Sequence, residues 1–448
     1  MHSSTEVRVI LKLQLFPLLL LILALSCSGS EGAVTPIASA STFTPTPLVS
    51  TEGIFVLSDA QVTINGIEPE GRSGRSVAIG DLNDDGIPDL IVGADHIEIG
   101  GLDAVGRIYI IFGPLDEGTQ ELETESDVTI NGITEEGRFG VGVASGDVNN
   151  DGIADLIVSA PRSDPGGNQN AGSTYIFFGP LSRGSLEISD ADVTINGIER
   201  FKEAAFAVAS GDLNDDGAAD LVITSRGSTL EAGSGERGTT YVIFGPLAAG
   251  TLELPADAQV LIHGIDADDR SGSAVAIGDV NNDGSADIAI GALRADPGGR
   301  ETAGETYVIF GPLAEGTLEL STEADITFNG IAPDDRLGSG LTIGDTNNDG
   351  VDDLIIGAGQ ANAFDRLKAG VIYVIPGPLS AGTFDLSGDK IGLTIHGINK
   401  FDFTGGALAT GDINNDGLTD LIIGVRRGSL PGMTDIGKTY VIFGSVRQ

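Results

Sequence analysis

Short apolar runs alternate with polar, glycine-rich segments along most of the chain, and this pattern predicts β-strands. The stretch 138–198 shows the pattern clearly, with apolar runs at 138–146, 156–158, 174–178 and 193–198. The first run mixes small and apolar residues, as a crowded inner strand would, and the second is entirely aliphatic. We therefore expect four strands in this stretch, joined by polar loops.

The same arrangement recurs six times along the chain. Each copy contains a variant of the run Gly-Asp-Leu-Asn-Asp-Asp-Gly found at 80–86, and neighbouring copies lie 65 to 67 residues apart. A fixed period of this length indicates a repeat architecture, and four strands per unit is typical of a propeller blade. A solenoid would also be built from similar repeats, but it would leave its ends exposed.

The two ends of the repeat region favour a closed ring. The last repeat ends at its third strand, 439–443, whereas the first repeat is preceded by an unmatched copy of a fourth strand, 61–66. Pairing these two segments would complete one blade and leave no open strand edge between the first and last blades. We therefore predict an all-β fold over 53–448, a six-bladed β-propeller of four-stranded antiparallel blades closed by the N-terminal strand.

Each repeat carries an acidic loop of the form Asp-x-Asn-x-Asp-Gly-x-x-Asp between its first two strands. Oxygen atoms at positions 1, 3, 5 and 9, together with the carbonyl of position 7, form the kind of ligand set that Ca²⁺ takes. The predicted ligands are Asp81, Asn83, Asp85, Ile87, Asp89, Asp147, Asn149, Asp151, Ile153, Asp155, Asp212, Asn214, Asp216, Ala218, Asp220, Asp279, Asn281, Asp283, Ser285, Asp287, Asp345, Asn347, Asp349, Val351, Asp353, Asp412, Asn414, Asp416, Leu418 and Asp420.

These loops begin like an EF-hand but do not continue as one. An EF-hand requires a bidentate Glu at position 12, where this chain has an aliphatic residue in all six repeats, for example Val92. The loops are therefore predicted to be β-hairpin metal loops that bind up to six Ca²⁺ ions. The alternative is that they are turns rich in Asp and Asn with no bound ion.

The N-terminus has the pattern of an export signal. Arg8 and Lys12 precede the apolar run 13–25, which is short for a membrane span. Cys27, the single cysteine of the chain, follows this run in a context that resembles a bacterial lipobox, in which it would be acylated. We expect a signal peptide over 1–26 and a Ser/Thr/Pro-rich tether over 27–52. The protein would then be held by lipid at the cell surface or at an outer or periplasmic membrane, or else secreted.

Composition restricts the partners. The formal net charge of −41 and the sequence pI of about 4.1 disfavour nucleic acid, whose phosphates would be repelled. Membrane contact is expected only through a lipid on Cys27, and the sequence leaves the oligomeric state open.

The chain resembles the FG-GAP repeat of integrin α-chain propellers. Phe139-Gly140, the acidic loop that follows and Ala160-Pro161 carry the resemblance, which covers roughly 53–448. In that family the loops bind calcium, and the family is associated with adhesion and extracellular ligand binding. This chain has six clear repeats rather than seven and lacks stalk domains, so a bacterial-type surface protein with an integrin-like propeller is the closer analogue.

Basic residues are concentrated on one face. The metal loops would share a face with the connections from third to fourth strands, and most Lys and Arg fall in the loops and strand ends of the opposite face, hereafter the loop face. They include Arg72, Arg138, Arg270 and Arg336 at equivalent positions of four repeats. These four could bind an anionic partner, or they could order the loops by pairing with nearby acids, as in Asp334-Asp335-Arg336; the second interpretation is favoured.

Two loops that break the repeat are candidate recognition points: Arg200, Phe201 and Lys202 in the third repeat, and Lys400 and Phe401 in the sixth. No nucleophile motif or clustered catalytic acids stand out in the sequence. We therefore expect a calcium-binding surface or adhesion module for an extracellular protein or polysaccharide, and not an enzyme. The alternative is an exported hydrolase or lyase acting on polysaccharide or phospholipid.

Overall fold

The structure, a computed structural model, describes residues 53–227, 237–386 and 391–444. The predicted signal peptide, the tether and Cys27 lie outside the described residues. No helix in the described ranges is long and apolar enough to cross a membrane.

Within the described residues, six five-stranded sheets form the blades of a six-bladed β-propeller, which confirms the predicted fold. Each blade has one strand more than the four predicted, because a segment from the next repeat pairs with its outer edge. In each blade the four inner strands are antiparallel, and the fifth, outermost strand is parallel to the fourth. The strands of each blade are given from the inner strand outwards. Blade 1 consists of β3 Ser73–Gly80, β4 Asp89–Ala94, β5 Arg107–Ile111, β7 Val128–Asn131 and β11 Gly184–Glu187. Blade 2 consists of β8 Val143–Gly146, β9 Asp155–Ala160, β10 Ser173–Phe177, β12 Val193–Gly197 and β16 Gly250–Leu254, and blade 3 consists of β13 Val208–Gly211, β14 Asp220–Ser225, β15 Thr239–Ile243, β17 Val260–His263 and β21 Gly316–Glu319. Blade 4 consists of β18 Ser271–Gly278, β19 Asp287–Ala292, β20 Glu305–Ile309, β22 Ile326–Asn329 and β26 Gly382–Asp385. Blade 5 consists of β23 Leu337–Gly344, β24 Asp353–Ala358, β25 Val371–Ile375, β27 Leu393–His396 and β1 Ile54–Val56. Blade 6 consists of β28 Ala407–Gly411, β29 Asp420–Val425, β30 Lys438–Ile442, β2 Val62–Asn65 and β6 Gly118–Glu121.

Helices are few and short in the part of the chain that the structure describes. Two α-helical turns, α1 Leu122–Glu125 and α2 Leu320–Glu323, lead from a fifth strand back to the fourth strand of the next blade. The 3₁₀ turns lie at Leu57–Asp59, Pro165–Gly167, Ile188–Asp190 and Pro297–Gly299.

The ring closes as predicted. Strand β2, near the start of the described chain, pairs antiparallel with β30, so that Val62 lies opposite Val441. The inner strands also contact one another in a complete circle, β3 to β8, β13, β18, β23, β28 and back to β3. One blade is therefore assembled from both ends of the repeat region.

The hydrophobic core is divided into six clusters, each lying between two neighbouring blades. Between blades 1 and 2, for example, Ile91 and Ile108 pack with Phe139, and all three side chains are at most 1% exposed. Burial of aliphatic and aromatic side chains between the blades supplies the main stabilisation of such a ring. The loops at the blade ends are thereby presented from a rigid frame.

Candidate functional site

The six acidic loops join the first and second strands of the blades. The position-9 aspartate is the first residue of the second strand in every blade and is fully buried, whereas positions 4 to 6 are exposed. One end of each loop is therefore fixed by the blade, and the other faces solvent.

Backbone N–H groups hold the loop side chains in one arrangement. In the first loop the Asp85 N–H donates to both Asp81 Oδ1 (3.1 Å) and Asn83 Oδ1 (2.9 Å), which brings these two oxygens together. The Gly86 N–H donates to the other Asp81 oxygen, at 2.8 Å. The bonds to the position-1 carboxylate are repeated in all six loops. Oxygens at positions 1 and 3 therefore lie close to each other at the same N–H group.

The position-9 carboxylate is held by the blade itself. Asp89 accepts hydrogen bonds from the N–H groups of Leu82 (2.9 Å) and Gly113 (3.1 Å). Burial raises the pKa of Asp89 to about 6, because these hydrogen bonds offset desolvation only in part and the Asp85 and Asp81 charges raise the pKa further. The pKa of the position-9 aspartate is raised in the other five loops as well. The loops thus hold mutually repelling carboxylates.

The donor set suits a hard cation, because each carboxylate oxygen keeps a free lone pair after accepting one N–H bond. Within the described residues, however, no three Asp, Glu, His or Cys side chains are drawn together as a closed metal-ligand group. Calcium binding by the predicted ligands therefore stays a prediction.

A second site lies on the axis of the ring, at the loop face. It is a cavity of about 250 Å³, hereafter the axial cavity, to which all six blades contribute. In every repeat the residue that lies nine positions before the first aspartate of the acidic loop lines this cavity, and so does the residue three positions further on. These two rings are Arg72, Arg138, Glu203, Arg270, Arg336 and Phe403, and Arg75, Val141, Phe206, Ser273, Ser339 and Gly406.

The axial cavity is strongly basic although the molecule is acidic. Arg162, Arg226, Arg426 and Arg427 at the ends of second strands add to the arginines of the two rings, which gives nine arginines in the lining. Among the described residues that line it, Asp95 and Glu203 are the only carboxylates, which leaves seven positive charges in excess. Many of the basic residues that the sequence predicts on the loop face thus converge at the axis of the ring.

Several of these arginines surround one aromatic ring. The guanidinium carbon of Arg226 lies 3.3 Å from the ring centroid of Phe206, and that of Arg75 lies 5.3 Å from it. Glu203 is 2% exposed and pairs with Arg162 at 3.1 Å and, more loosely, with Arg226 at 3.7 Å. Asp95 lies 3.8 Å from Arg75. The two acids therefore share their charge among several cations.

Burial and the excess of positive charge lower the pKa values of the cavity arginines. Burial and then the charge of Arg75 lower the pKa of Arg426 to about 9. Burial also lowers the pKa of Arg226 well below its usual value, against the effect of Glu203. The pKa values of Arg75, Arg138 and others in the lining fall for the same two reasons, desolvation and neighbouring arginines. The described carboxylates thus compensate the charged forms of these arginines poorly.

The four repeated arginines do not pair with neighbouring acids as the favoured interpretation expected. In the described part of the chain Arg72, Arg138, Arg270 and Arg336 form no ion pair with a carboxylate. They line the axial cavity instead. This placement supports the other interpretation, in which they face a partner.

The two loops predicted as recognition points lie on the loop face but outside the cavity lining. Arg200 is exposed, lies 5.3 Å over the Phe201 ring and donates to Gln169, whereas Lys202 pairs with Glu199 at 3.6 Å. In the sixth repeat Lys400 is exposed and Phe401 is 46% exposed.

Sequence analysis did not single out Arg75, Arg226 or Arg426 as a group. They lie far apart in the sequence, and most repeats have other residues at their positions. Val141 stands in place of Arg75, and the position that is Arg226 and Arg426 in the third and sixth repeats is Asp95, Pro161, Leu293 and Gly359 in the others. A comparison of equivalent positions across the six repeats would have shown them as departures from the repeat. Their convergence depends on the closed ring.

The FG-GAP repeat pattern matches six segments of the chain, 73–111, 139–177, 204–243, 271–309, 337–375 and 404–442. The chain is 27% identical over 407 residues to phosphatidylinositol-glycan-specific phospholipase D of Bos taurus, a match that covers 84% of this chain and 46% of the relative. The corresponding protein of Homo sapiens is 26% identical over 409 residues, with the same coverage. Integrin alpha-PS2 of Drosophila melanogaster is 36% identical over 155 residues, 32% of this chain and 10% of the relative. The chain thus spans less than half the length of the phospholipases that it matches.

Proposed function

The chain belongs to the FG-GAP repeat family, since the six matched segments cover more than half of it, and from this premise we propose that it is an exported ligand-binding module. In this proposal the six acidic loops bind calcium, and the loop face binds an extracellular protein or polysaccharide that carries anionic groups. The observation that carries the proposal is the axial cavity, in which nine arginines face two carboxylates.

A purely structural role does not account for these arginines. Buried like charges destabilise a fold unless they are paired, and the pKa values of the cavity arginines are lowered for that reason. An oxyanion from a partner would supply the missing charge and hydrogen-bond acceptors. The destabilisation that these poorly paired arginines cause is therefore consistent with a binding function.

Calcium would act on the opposite face. Convergent oxygens at positions 1 and 3 and crowded carboxylates at 5 and 9 favour a divalent ion, which would relieve their repulsion. With the loops filled, the first and second strands of each blade would be held more rigidly. Export follows from the apolar run 13–25, and attachment to a membrane would follow if Cys27 is acylated.

Binding of the exported protein to arrays of extracellular glycans and matrix proteins, with calcium and with chelator, tests the proposal. We expect retention on acidic ligands that weakens at high salt, since exposed charges are screened within about 10 Å at 0.1 M. Binding of an Arg200→Glu, Lys202→Glu double variant to the same ligands tests whether this loop, which lies outside the axial cavity, contributes to binding. Absence of binding to every acidic ligand under both conditions would contradict the proposal.

A second candidate function is hydrolysis of a phosphatidylinositol-glycan or related phospholipid. The observation that favours it is the similarity to the phospholipases D over 84% of the chain. Release of a glycan-anchored reporter protein from vesicles by the purified protein would establish this activity. If the protein binds such vesicles but releases nothing, the binding function alone is supported.

A further inference from the structure

We propose that the axial cavity is a site for one compact, tetrahedral oxyanion, namely a phosphate or sulfate group carried on a small organic residue such as a sugar. This inference rests on the proposed binding function and names the chemistry that the loop face recognises. It concerns the arginines of the cavity and makes no use of the acidic loops.

The arrangement of the arginines favours a tetrahedral group. Arg75 comes from blade 1, Arg226 from blade 3 and Arg426 from blade 6, so the guanidinium groups approach the axis from different sides of the ring. A phosphate or sulfate group presents oxygens in several directions and can accept from several sides at once. A carboxylate presents two oxygens in one plane, which matches a single guanidinium fork better. The excess of seven positive charges in the lining also suits an anionic group.

Several guanidinium nitrogens of the cavity arginines lack an acceptor. The Nε atoms of Arg72, Arg138, Arg226 and Arg336 are buried and find no acceptor among the described residues. Buried donors of this kind are rare in proteins, and each one costs free energy until it is paired. These four atoms come from four repeats and belong to side chains that line the same cavity.

The axial cavity is small. A second cavity of about 80 Å³ adjoins it, shares Arg75, Val141 and Phe206 with it, and is lined mainly by inner-strand residues such as Val77 and Val143. The cavity of about 250 Å³ is small beside typical ligand pockets of roughly 300–1,000 Å³. A polysaccharide would therefore bind by a terminal or projecting charged group.

Titration calorimetry and thermal denaturation of the exported protein in Tris-chloride buffer, at constant calcium and ionic strength, test the proposal. The probes are sodium sulfate, glucose 6-phosphate and glucose 6-sulfate, with acetate as the monocarboxylate comparison. We expect saturable binding of at least one phosphate or sulfate probe with a rise in melting temperature, and a much weaker effect of acetate. The two glucose esters distinguish a phosphate from a sulfate ligand.

Two variants locate the site, Arg226→Gln and Arg426→Gln, with Arg183→Gln as the control. Arg183 lies outside the cavity and pairs with Asp127, so its loss removes the same charge elsewhere. We expect each cavity variant to weaken binding about tenfold or more, because a hydrogen bond to a charged group is lost. In the absence of the probe the cavity variants should melt higher than the wild type, because a poorly compensated buried charge is removed.

A ligand site and a structural cluster predict different results for the cavity variants. A ligand site predicts weaker probe binding together with a higher melting temperature in the absence of the probe. Cavity variants that melt lower without the probe and lose no probe affinity would overturn the inference. So would equal responses to acetate and to the phosphate and sulfate probes, or a probe effect that Arg183→Gln reduces as strongly. If the glycan array shows binding that the cavity variants leave intact, the inference fails while the proposed binding function stands.

Discussion

At the scale of single residues, Asp269 is the carboxylate whose ionisation the fold opposes most clearly outside the acidic loops. It is half-buried on the turn that precedes blade 4. Burial, and then the charges of Asp266, Glu305 and Asp296, raise its pKa to about 7, against about 3.9 for an unperturbed Asp. A raised pKa means that Asp269 contributes most to stability when it is protonated, below pH about 4. That contribution is lost as the pH rises through about 7.

Replacement of Asp269 by Asn should therefore stabilise the protein at pH 8 and change little at pH 4. The expected gain at pH 8 is about 1–2 kcal/mol, after allowance for solvent screening of a half-buried group. Thermal denaturation at the two pH values, with calcium held constant, measures it. Asp268→Asn is the control, since Asp268 is exposed on the same turn and carries the same charge. Equal gains from both variants at pH 8 would show that net charge, and not the site of Asp269, is responsible.

The residue scale also shows what the sequence could reveal about the sites. The acidic loops repeat at fixed positions, so their ligands could be named from one repeat and extended to six. Arg75 has no such support, because its equivalents are Val141, Phe206 and other residues of different chemistry. Only the ring geometry brings it to within 5.3 Å of the Phe206 ring, two blades away. Contacts across the axis depend on the number of blades and on closure, which no single repeat encodes.

At the scale of strands and turns, one glycine in each repeat fixes the spacing between blades. Gly437, just before β30, has φ of +80°, and a Cβ built on it would lie 1.9 Å from the Ser73 carbonyl oxygen. Gly106 approaches the Phe139 carbonyl oxygen in the same way, at 2.1 Å. The third strand of one blade is therefore seated directly against the first strand of the next.

We expect Gly437→Ala to destabilise the protein more than Gly432→Ala. Both glycines have positive φ, +80° and +85°, but a Cβ on Gly432 would meet nothing within 4 Å. The shared backbone strain cancels in the comparison, and the remaining difference of about 1–3 kcal/mol reports overpacking between blades 6 and 1. Urea denaturation midpoints measure it. Equal midpoints for the two variants would mean that the blades can separate slightly without loss.

The fifth strands show where reading one repeat at a time failed. The runs Gly250–Leu254 and Gly316–Glu319 both read Gly-Thr-Leu-Glu and recur in related form in other repeats, so a signal was present. Only four strands per repeat were predicted, and these short segments lie between the third and the fourth, where they are largely exposed. Their partners are in the preceding blade, as for β16 beside β12. Pairing between repeats is invisible when each repeat is interpreted alone.

At the scale of the whole molecule, charge is divided between the two faces. The chain carries a net charge of −41, yet the axial cavity on the loop face has seven positive charges in excess. The acidic loops on the other face contribute three predicted ligand carboxylates each. A polarised charge distribution of this kind orients an anionic partner toward one face as it approaches. It also means that cations bound at the other face would reduce the overall self-repulsion.

Calcium should therefore stabilise the whole ring in proportion to the number of filled loops. Titration of chelator-treated protein should show up to six ions per chain and a rise in melting temperature. At a free calcium concentration 100 times the dissociation constant, one site contributes about 2.7 kcal/mol. Asp81→Asn removes one ligand charge and should reduce the stoichiometry by one, whereas Asp84→Asn, an exposed residue of the same loop at a non-ligand position, should not. If calcium gives neither heat nor thermal stabilisation, the loops are ordinary turns. The ring must then hold its repelling carboxylates by backbone hydrogen bonds alone, such as those from Leu82 and Gly113 to Asp89.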